Sequence, residues 1–262
     1  MIKCGRCGNG NADEVFFCQF CGTRLVSDRL SEAIQVTTGP PPPVRPGFEP
    51  GFRLIVVHRD GSDGTTYSLM GDQIDIGRTD GDLLFDDPHL GARHARIVVS
   101  LSGRVLSPLE ARNGVYVRLR TTVDLSDGDQ FLVGKQVLRF ETVPDAERSQ
   151  RPAVEHGVVV FGTPARPSWG RLRQITPAGI TRDVYHLSRS DVVLGREQAD
   201  LVFSDDEFLS RRHAQLSVRA GRPRLEDLGS SNGTFIRLRG THNLVPGDLI
   251  RLGDELLRFE LG

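Results

Sequence analysis

After Cys21 the 262-residue sequence contains no cysteine at all. A disulfide-stapled secreted fold spreads its cysteines through the chain, so that class is excluded. No apolar run approaches the roughly 20 residues that a membrane-spanning helix needs. The N-terminus lacks the charged-then-apolar layout of a secretory leader. A soluble, cytoplasmic protein with no membrane partner is therefore expected. An excess of charge is lacking too: 33 basic residues face 34 acidic ones, a formal net charge of -1. A general nucleic-acid binder needs a basic excess to displace counterions, so the balance argues against that partner. Neither residues 52–143 nor residues 170–262 show convincing helical periodicity. There is no phosphate-cradling P-loop, no kinase motif set and no nucleophile–base constellation. The expectation is a chain that is not an enzyme.

The cysteines that are present cluster as two close pairs, Cys4 with Cys7 and Cys18 with Cys21. Each C-x2-C can form a knuckle that aims two thiolates at one point, and two knuckles supply four tetrahedral ligands. So short a segment cannot bury enough apolar surface to fold alone, and metal binding would supply the missing free energy. A redox dithiol would need its C-x-x-C inside an α/β pattern, which is absent. The segment resembles the zinc-ribbon family over about residues 3–25. A small zinc ribbon is expected over 1–26, with structural Zn2+ held by Cys4, Cys7, Cys18 and Cys21. Residues 27–51 follow, rich in proline from Pro40 to Pro50, and read as a semi-rigid extended linker.

Beyond the linker the sequence repeats. Ile76-Gly77-Arg78 recurs 118 residues later as Leu194-Gly195-Arg196. Arg93-His94-Ala95 recurs 119 residues later as Arg212-His213-Ala214, as do Asn113-Gly114 at Asn232-Gly233 and Arg139-Phe140 at Arg258-Phe259. One near-constant offset across so many landmarks indicates two copies of one domain. They are placed at 52–143 and 170–262, joined by an interdomain segment, 144–169, that includes the strand-like run Gly157–Gly162. Short β-branched and apolar runs punctuated by Gly, Asp, Asn and Ser predict an all-β fold, with one β-sandwich per copy.

The second copy carries Leu194-Gly195-Arg196, Leu209-Ser210-Arg211-Arg212-His213-Ala214 and Leu225–Phe235, the last containing Ser231-Asn232-Gly233-Thr234. In order and chemistry these motifs resemble the forkhead-associated (FHA) family. That resemblance implies a β-sandwich binding phosphothreonine in extended peptide segments, with Arg196, Ser210, Arg211, Ser231 and Asn232 as contacts. It implies that His213 braces the serine loop. Gly195, Gly233 and Thr234 would support the turns. The chemistry agrees, because a phosphate of nearly two charges and three acceptor oxygens calls for guanidinium, hydroxyl and amide donors. Read singly, Arg196 is a surface arginine pairing with Asp200 or Asp205, and Ser-Ser-Asn-Gly is a hairpin turn.

The first copy keeps Arg78, His94 and Asn113 but has Gly91 in place of Ser210, Ala92 in place of Arg211, Arg112 in place of Ser231 and Val115 in place of Thr234. It is either a spacer or docking module, or a second anion site built on Arg78, Arg112 and Asn113.

The expected function is a signalling adaptor whose partners are threonine-phosphorylated proteins, substrates of a Ser/Thr kinase. The alternative is a zinc-ribbon nucleic-acid or transcription-associated factor carrying a phospho-sensor, although Lys3, Arg6 and Arg24 give the ribbon little charge for it. The cysteine reading is checked by elemental analysis of the purified chain. One zinc per chain is expected, lost when Cys4 and Cys7 are both changed to serine. Equal zinc in parent and variant would refute the ligand set.

Overall fold

A computed structural model describes residues 2–3, 10–11, 34–36, 51–100, 103–149, 151–163 and 166–262. The four cysteines and most of the proline-rich stretch lie outside the described residues. Among the described residues the chain is almost wholly β, with one four-residue helix at Asp145–Arg148. No helix of the described residues is long and apolar enough to cross a membrane.

The chain forms two compact units, and they are not the two sequence repeats. One unit combines the residues up to Asn113 with Gly240–Gly262; the other is Gly114–Arg239. The division expected from the repeats, 52–143 and 170–262, thus describes the sequence but not the folded units. Each unit takes its leading strands from one repeat and its closing strands from the other.

In the first unit, Phe52–Val57 pairs with Asp63–Leu69 on one side and with Glu255–Leu261 of the second repeat on the other. Glu255–Leu261 in turn pairs with Leu249–Leu252. The facing sheet runs through Gln73–Gly77, Ala95–Ser100 and Gly103–Pro108, and ends on His242–Leu244 of the second repeat.

The second unit has the same plan with the repeats exchanged. Thr181–Leu187 and Gly170–Ile175 form a hairpin that continues into Gln136–Thr142 and Gln130–Val133 of the first repeat. Thr234–Arg237 pairs with both Gln130–Val133 and Val115–Arg118. The facing sheet contains Asp191–Gly195, Ala214–Arg219 and Arg222–Asp227, closed by Val123–Asp124 of the first repeat.

Alternation fixes the register. Gly170–Ile175 buries every second residue, and Leu172 stands opposite Phe140. A one-residue slip would turn that whole set to solvent. The core of the second unit is drawn from both repeats: Phe131, Leu138 and Phe140 are fully buried beside Leu172, Leu194, Leu216 and Leu225. Each such side chain contributes about 1.5–3 kcal/mol on burial, so neither repeat's strands are dispensable to it.

Polar contacts reinforce the exchange. Glu141 of the first repeat accepts bonds from Arg171 at 2.8 Å and pairs with Arg173 at 2.7 Å, both of the second. Burial alone would raise its pKa; the bonds from Arg173, Arg171 and Arg139 hold it at about 2. Buried Asp206 accepts the backbone N–H of Lys135 and the amide of Gln136, each at 2.7 Å, and the N–H of Phe208 at 3.0 Å. The first unit repeats the device: Asp87 accepts the N–H groups of Asp254 at 2.6 Å and His89 at 2.8 Å.

In the interdomain segment, Val154–Glu155 and Val158–Val159 pair with each other, and Phe161 is fully exposed. The strand-like run thus makes its own hairpin.

Antiparallel partners stand about 4.5–5.5 Å apart at Cα, within reach of a disulfide. A chain starting at residue 51 has no native cysteine. In that background Glu141→Cys with Arg171→Cys is expected to cross-link under mild oxidation, whereas Glu141→Cys with Arg53→Cys is not. Gel mobility under non-reducing conditions reads the result, and the opposite outcome would mean that each repeat closes on itself.

Candidate functional site

The rim of the second unit gathers the motif residues. The strand Asp191–Gly195 ends at Gly195, where an added Cβ would overlap the carbonyl oxygen of Arg211. Only glycine lets the 208–213 loop cross so close. The backbone N–H of Arg196 donates to Ser210 at 3.0 Å, and that of Gln198 to Arg211 at 3.1 Å. Arg196 and Ser210 are thereby neighbours through backbone geometry.

His213 is fully buried and ties two loops together. Its Nδ1 accepts the Ser210 N–H at 3.2 Å, so the ring proton is assigned to Nε2, which donates to Gly233 O at 3.2 Å. Burial pushes the imidazole pKa down; the bond to Gly233 and the charges of Asp227 and Asp206 oppose this, and Arg118 adds to it.

The loop from Asp227 to Thr234 is closed on a single carboxylate. Asp227 Oδ1 accepts the N–H groups of Gly229 at 3.0 Å and Ser230 at 2.8 Å. Its Oδ2 accepts the hydroxyls of Ser230 at 2.6 Å and Thr234 at 2.7 Å. Ser230 Oγ also accepts the Gly233 N–H at 2.9 Å. Burial would raise the Asp227 pKa, but the bonds from Ser230 and Thr234 hold it below its usual range. Sequence reasoning found Thr234 and Gly233 but missed Asp227 and Ser230. The signal was present: an Asp two residues before Gly in a turn caps backbone N–H groups through its own side chain.

That closed loop places the remaining two residues. The Ser231 N–H donates to Ser210 Oγ at 3.2 Å. The Ser210 hydroxyl thus accepts one bond and keeps its proton for a ligand oxygen. Asn232 Nδ2 donates to Phe208 O at 2.8 Å, fixing the carboxamide at the loop edge. Arg196 pairs with Glu197 at 3.3 Å, and Arg211 approaches the same carboxylate at 3.6 Å. Arg196 Nε is buried without a hydrogen-bond partner. The alternative carboxylate Asp200 is engaged elsewhere, with Arg189 at 2.5 Å and the Val193 N–H at 2.9 Å. Two guanidiniums, a hydroxyl proton and a carboxamide therefore meet at one rim, which suits a small polyanion.

The first unit keeps the scaffold but not the hydroxyl donors. Arg78 N–H donates to Gly91 O at 3.0 Å, and Asn113 Nδ2 to His89 O at 2.8 Å, as at Arg196 and Asn232. His94 Nδ1 accepts the Gly91 N–H at 3.0 Å. A Cβ at Gly91 would overlap the carbonyl oxygen of Glu110, so an acceptor crowds the place where Ser210 offers a donor. Pro108, Ala111 and Val115 stand where Asp227, Ser230 and Thr234 close the other loop. Arg112 follows on that loop, its N–H bonded to Glu110 O at 3.1 Å, and Arg78 pairs with Asp86 at 3.6 Å.

Residues 74–134 and 192–253 each match the FHA domain model. These two stretches, one in each repeat, are similar to FHA domains. Curated relatives include the FHA domain-containing protein FhaB of Mycobacterium tuberculosis, 34% identical over 77 residues, which are 29% of this chain and 50% of that protein. The oxoglutarate dehydrogenase inhibitor of Corynebacterium efficiens is 35% identical over 78 residues, 29% of this chain and 55% of that protein. The glycogen accumulation regulator GarA of Mycolicibacterium smegmatis is 29% identical over 105 residues, 39% of this chain and 66% of that protein. The chain spans about half the length of the first two.

A histidine whose folded pKa is depressed contributes stability that is present above its unfolded value of 6.5 and lost as pH falls through the folded value. The second unit is therefore expected to melt at lower temperature at pH 5 than at pH 7, with a smaller difference in His213→Asn. Thermal unfolding across that range tests it, and an unchanged pH slope in the variant would clear His213 of the effect.

Proposed function

We propose that the rim of the second FHA domain reads phosphothreonine in partner proteins, and that the chain acts as a non-catalytic adaptor in Ser/Thr kinase signalling. The observation that carries this reading is the convergence of Arg196, Ser210, Ser231 and Asn232 on one closed pair of loops. A phosphate ester carries three strong acceptor oxygens and nearly two charges. It matches what the rim presents: the guanidiniums of Arg196 and Arg211 and the hydroxyl proton of Ser210. The Glu197 carboxylate occupies both guanidiniums without ligand, and a dianion competes with it on charge. Asn232, braced against the 208 carbonyl, presents its oxygen and second N–H to an extended peptide backbone.

The partners in this reading are threonine-phosphorylated proteins made by a Ser/Thr kinase. The N-terminal cysteines hold a structural zinc, and that ribbon recruits a further component. Tethering the two modules on one chain raises the effective concentration of one partner near the other.

Arg196→Ala and Ser210→Ala are each expected to weaken binding of a phosphothreonine peptide by about tenfold to a hundredfold, because a charge-assisted bond contributes about 1.5–3 kcal/mol. Fluorescence polarisation with phosphorylated and unphosphorylated peptide, alongside thermal melts, measures this. Parent-like binding by both folded variants would remove the site.

A further inference from the structure

The first repeat has lost most phosphate donors on its own rim, yet its strands are built into the unit that carries the other rim. Arg118 shows where this matters. It ends the strand Val115–Arg118, which pairs antiparallel with Thr234–Arg237 and sets Arg118 opposite Phe235. The next residue continues the ladder, the Leu119 N–H donating to Thr234 O at 2.8 Å. That register delivers the Arg118 side chain to the base of the loop that presents Ser231 and Asn232.

The contact there is close. Gly233 has φ +82°, and a Cβ on it would overlap Arg118 Nε and lie 2.8 Å from Cδ and 2.9 Å from Cζ. The guanidinium thus lies against the bare Cα of Gly233. Its Nη2 reaches Ser230 O at 3.4 Å, a long bond. Ser230 and Gly233 are the residues that flank Ser231 and Asn232. The inner face of the loop is held by Asp227 and His213, both of the second repeat. Its outer face is held by a cation of the first.

We propose that the phosphothreonine site is a joint product of both repeats, with Arg118 of the first repeat as a positioning residue for the loop that carries Ser231 and Asn232. This deepens the reading given under Proposed function and rests on it. The first repeat then serves the second repeat's site directly and is no mere spacer. The fold supplies an internal control. Arg237, 119 positions on, lies against Gly114 in the same way, with its Cδ 2.9 Å from where a Cβ would stand. It also donates to Gln130 at 2.6 Å. The loop before Gly114 has Pro108 and Ala111 where Asp227 and Ser230 stand, and Gly91 replaces Ser210, so Arg237 has no equivalent set of donors to organise.

The test uses the full chain and a fluorescein-labelled pool of degenerate peptides with one central phosphothreonine, with the unphosphorylated pool as blank. Arg118→Ala is expected to weaken binding about three- to tenfold, the range of one modest hydrogen bond. It is also expected to shift the Ser231 and Asn232 amide resonances in the absence of peptide, at an unchanged melting temperature. Arg237→Ala is expected to bind like the parent. Arg118→Gln replaces the alanine variant if that one does not fold, with the same expectations. Parent-like affinity and amide shifts in the folded Arg118 variant, while Arg196→Ala weakens binding as expected above, would overturn the joint site and leave the phosphothreonine reading standing. An equal loss from Arg237→Ala would overturn it as well, by making the effect one of general stability. No phosphate-dependent binding by the parent would overturn both.

Discussion

The antiparallel pairing of Gln136–Thr142 with Gly170–Ile175, matched by that of Glu255–Leu261 with Phe52–Val57, holds everything else in place. The two pairings share one register. Phe140 opposite Leu172 in one unit corresponds to Phe259 opposite Leu54 in the other, shifted by the repeat offsets of 119 and 118 residues. A strand from either repeat satisfies the same backbone bonds and fills the same core positions. The clamping carboxylates follow the same logic, since Asp206 holds the hairpin at Lys135 as Asp87 holds the one at Asp254.

Much of this was legible in the sequence, for definite reasons. Alternating burial in Gly170–Ile175 and the turn residues between short apolar runs are local signals, and they gave the all-β class. The arginine after a strand-ending glycine, the Ser210 loop and the Asn-Gly turn are separated in sequence but tied by short backbone bonds, and the structure does bring them together. The exchange was not legible. A repeat whose copies share one strand register encodes self-closure and mutual closure equally well, so nothing at Phe140 says whether Leu54 or Leu172 will face it. Arg118 was invisible for the same reason: alone it is one more arginine on a strand, and only the pairing brings it under Gly233.

The two rims share a scaffold but differ in the side chains placed on it. His94 and Asn113 still make the bonds that His213 and Asn232 make. What differs is the set that needs a carboxylate at the loop base and a side chain facing the arginine. With proline at 108 no carboxylate can close the loop, and alanine at 111 and valine at 115 bring no hydroxyl to it. The Glu110 carbonyl then settles against Gly91, and that contact in turn admits nothing larger than glycine.

Because the units trade strands, the loops and the framework of a given repeat answer to different demands. Gly91 belongs to one unit, whereas the strand Gln136–Thr142 of the same repeat puts Leu138 and Phe140 into the core of the other. A duplicated module wired this way is not removable whatever its own loops do, since deleting it would open the hydrophobic interior of its sibling. Redundancy of sequence has here become interdependence of fold.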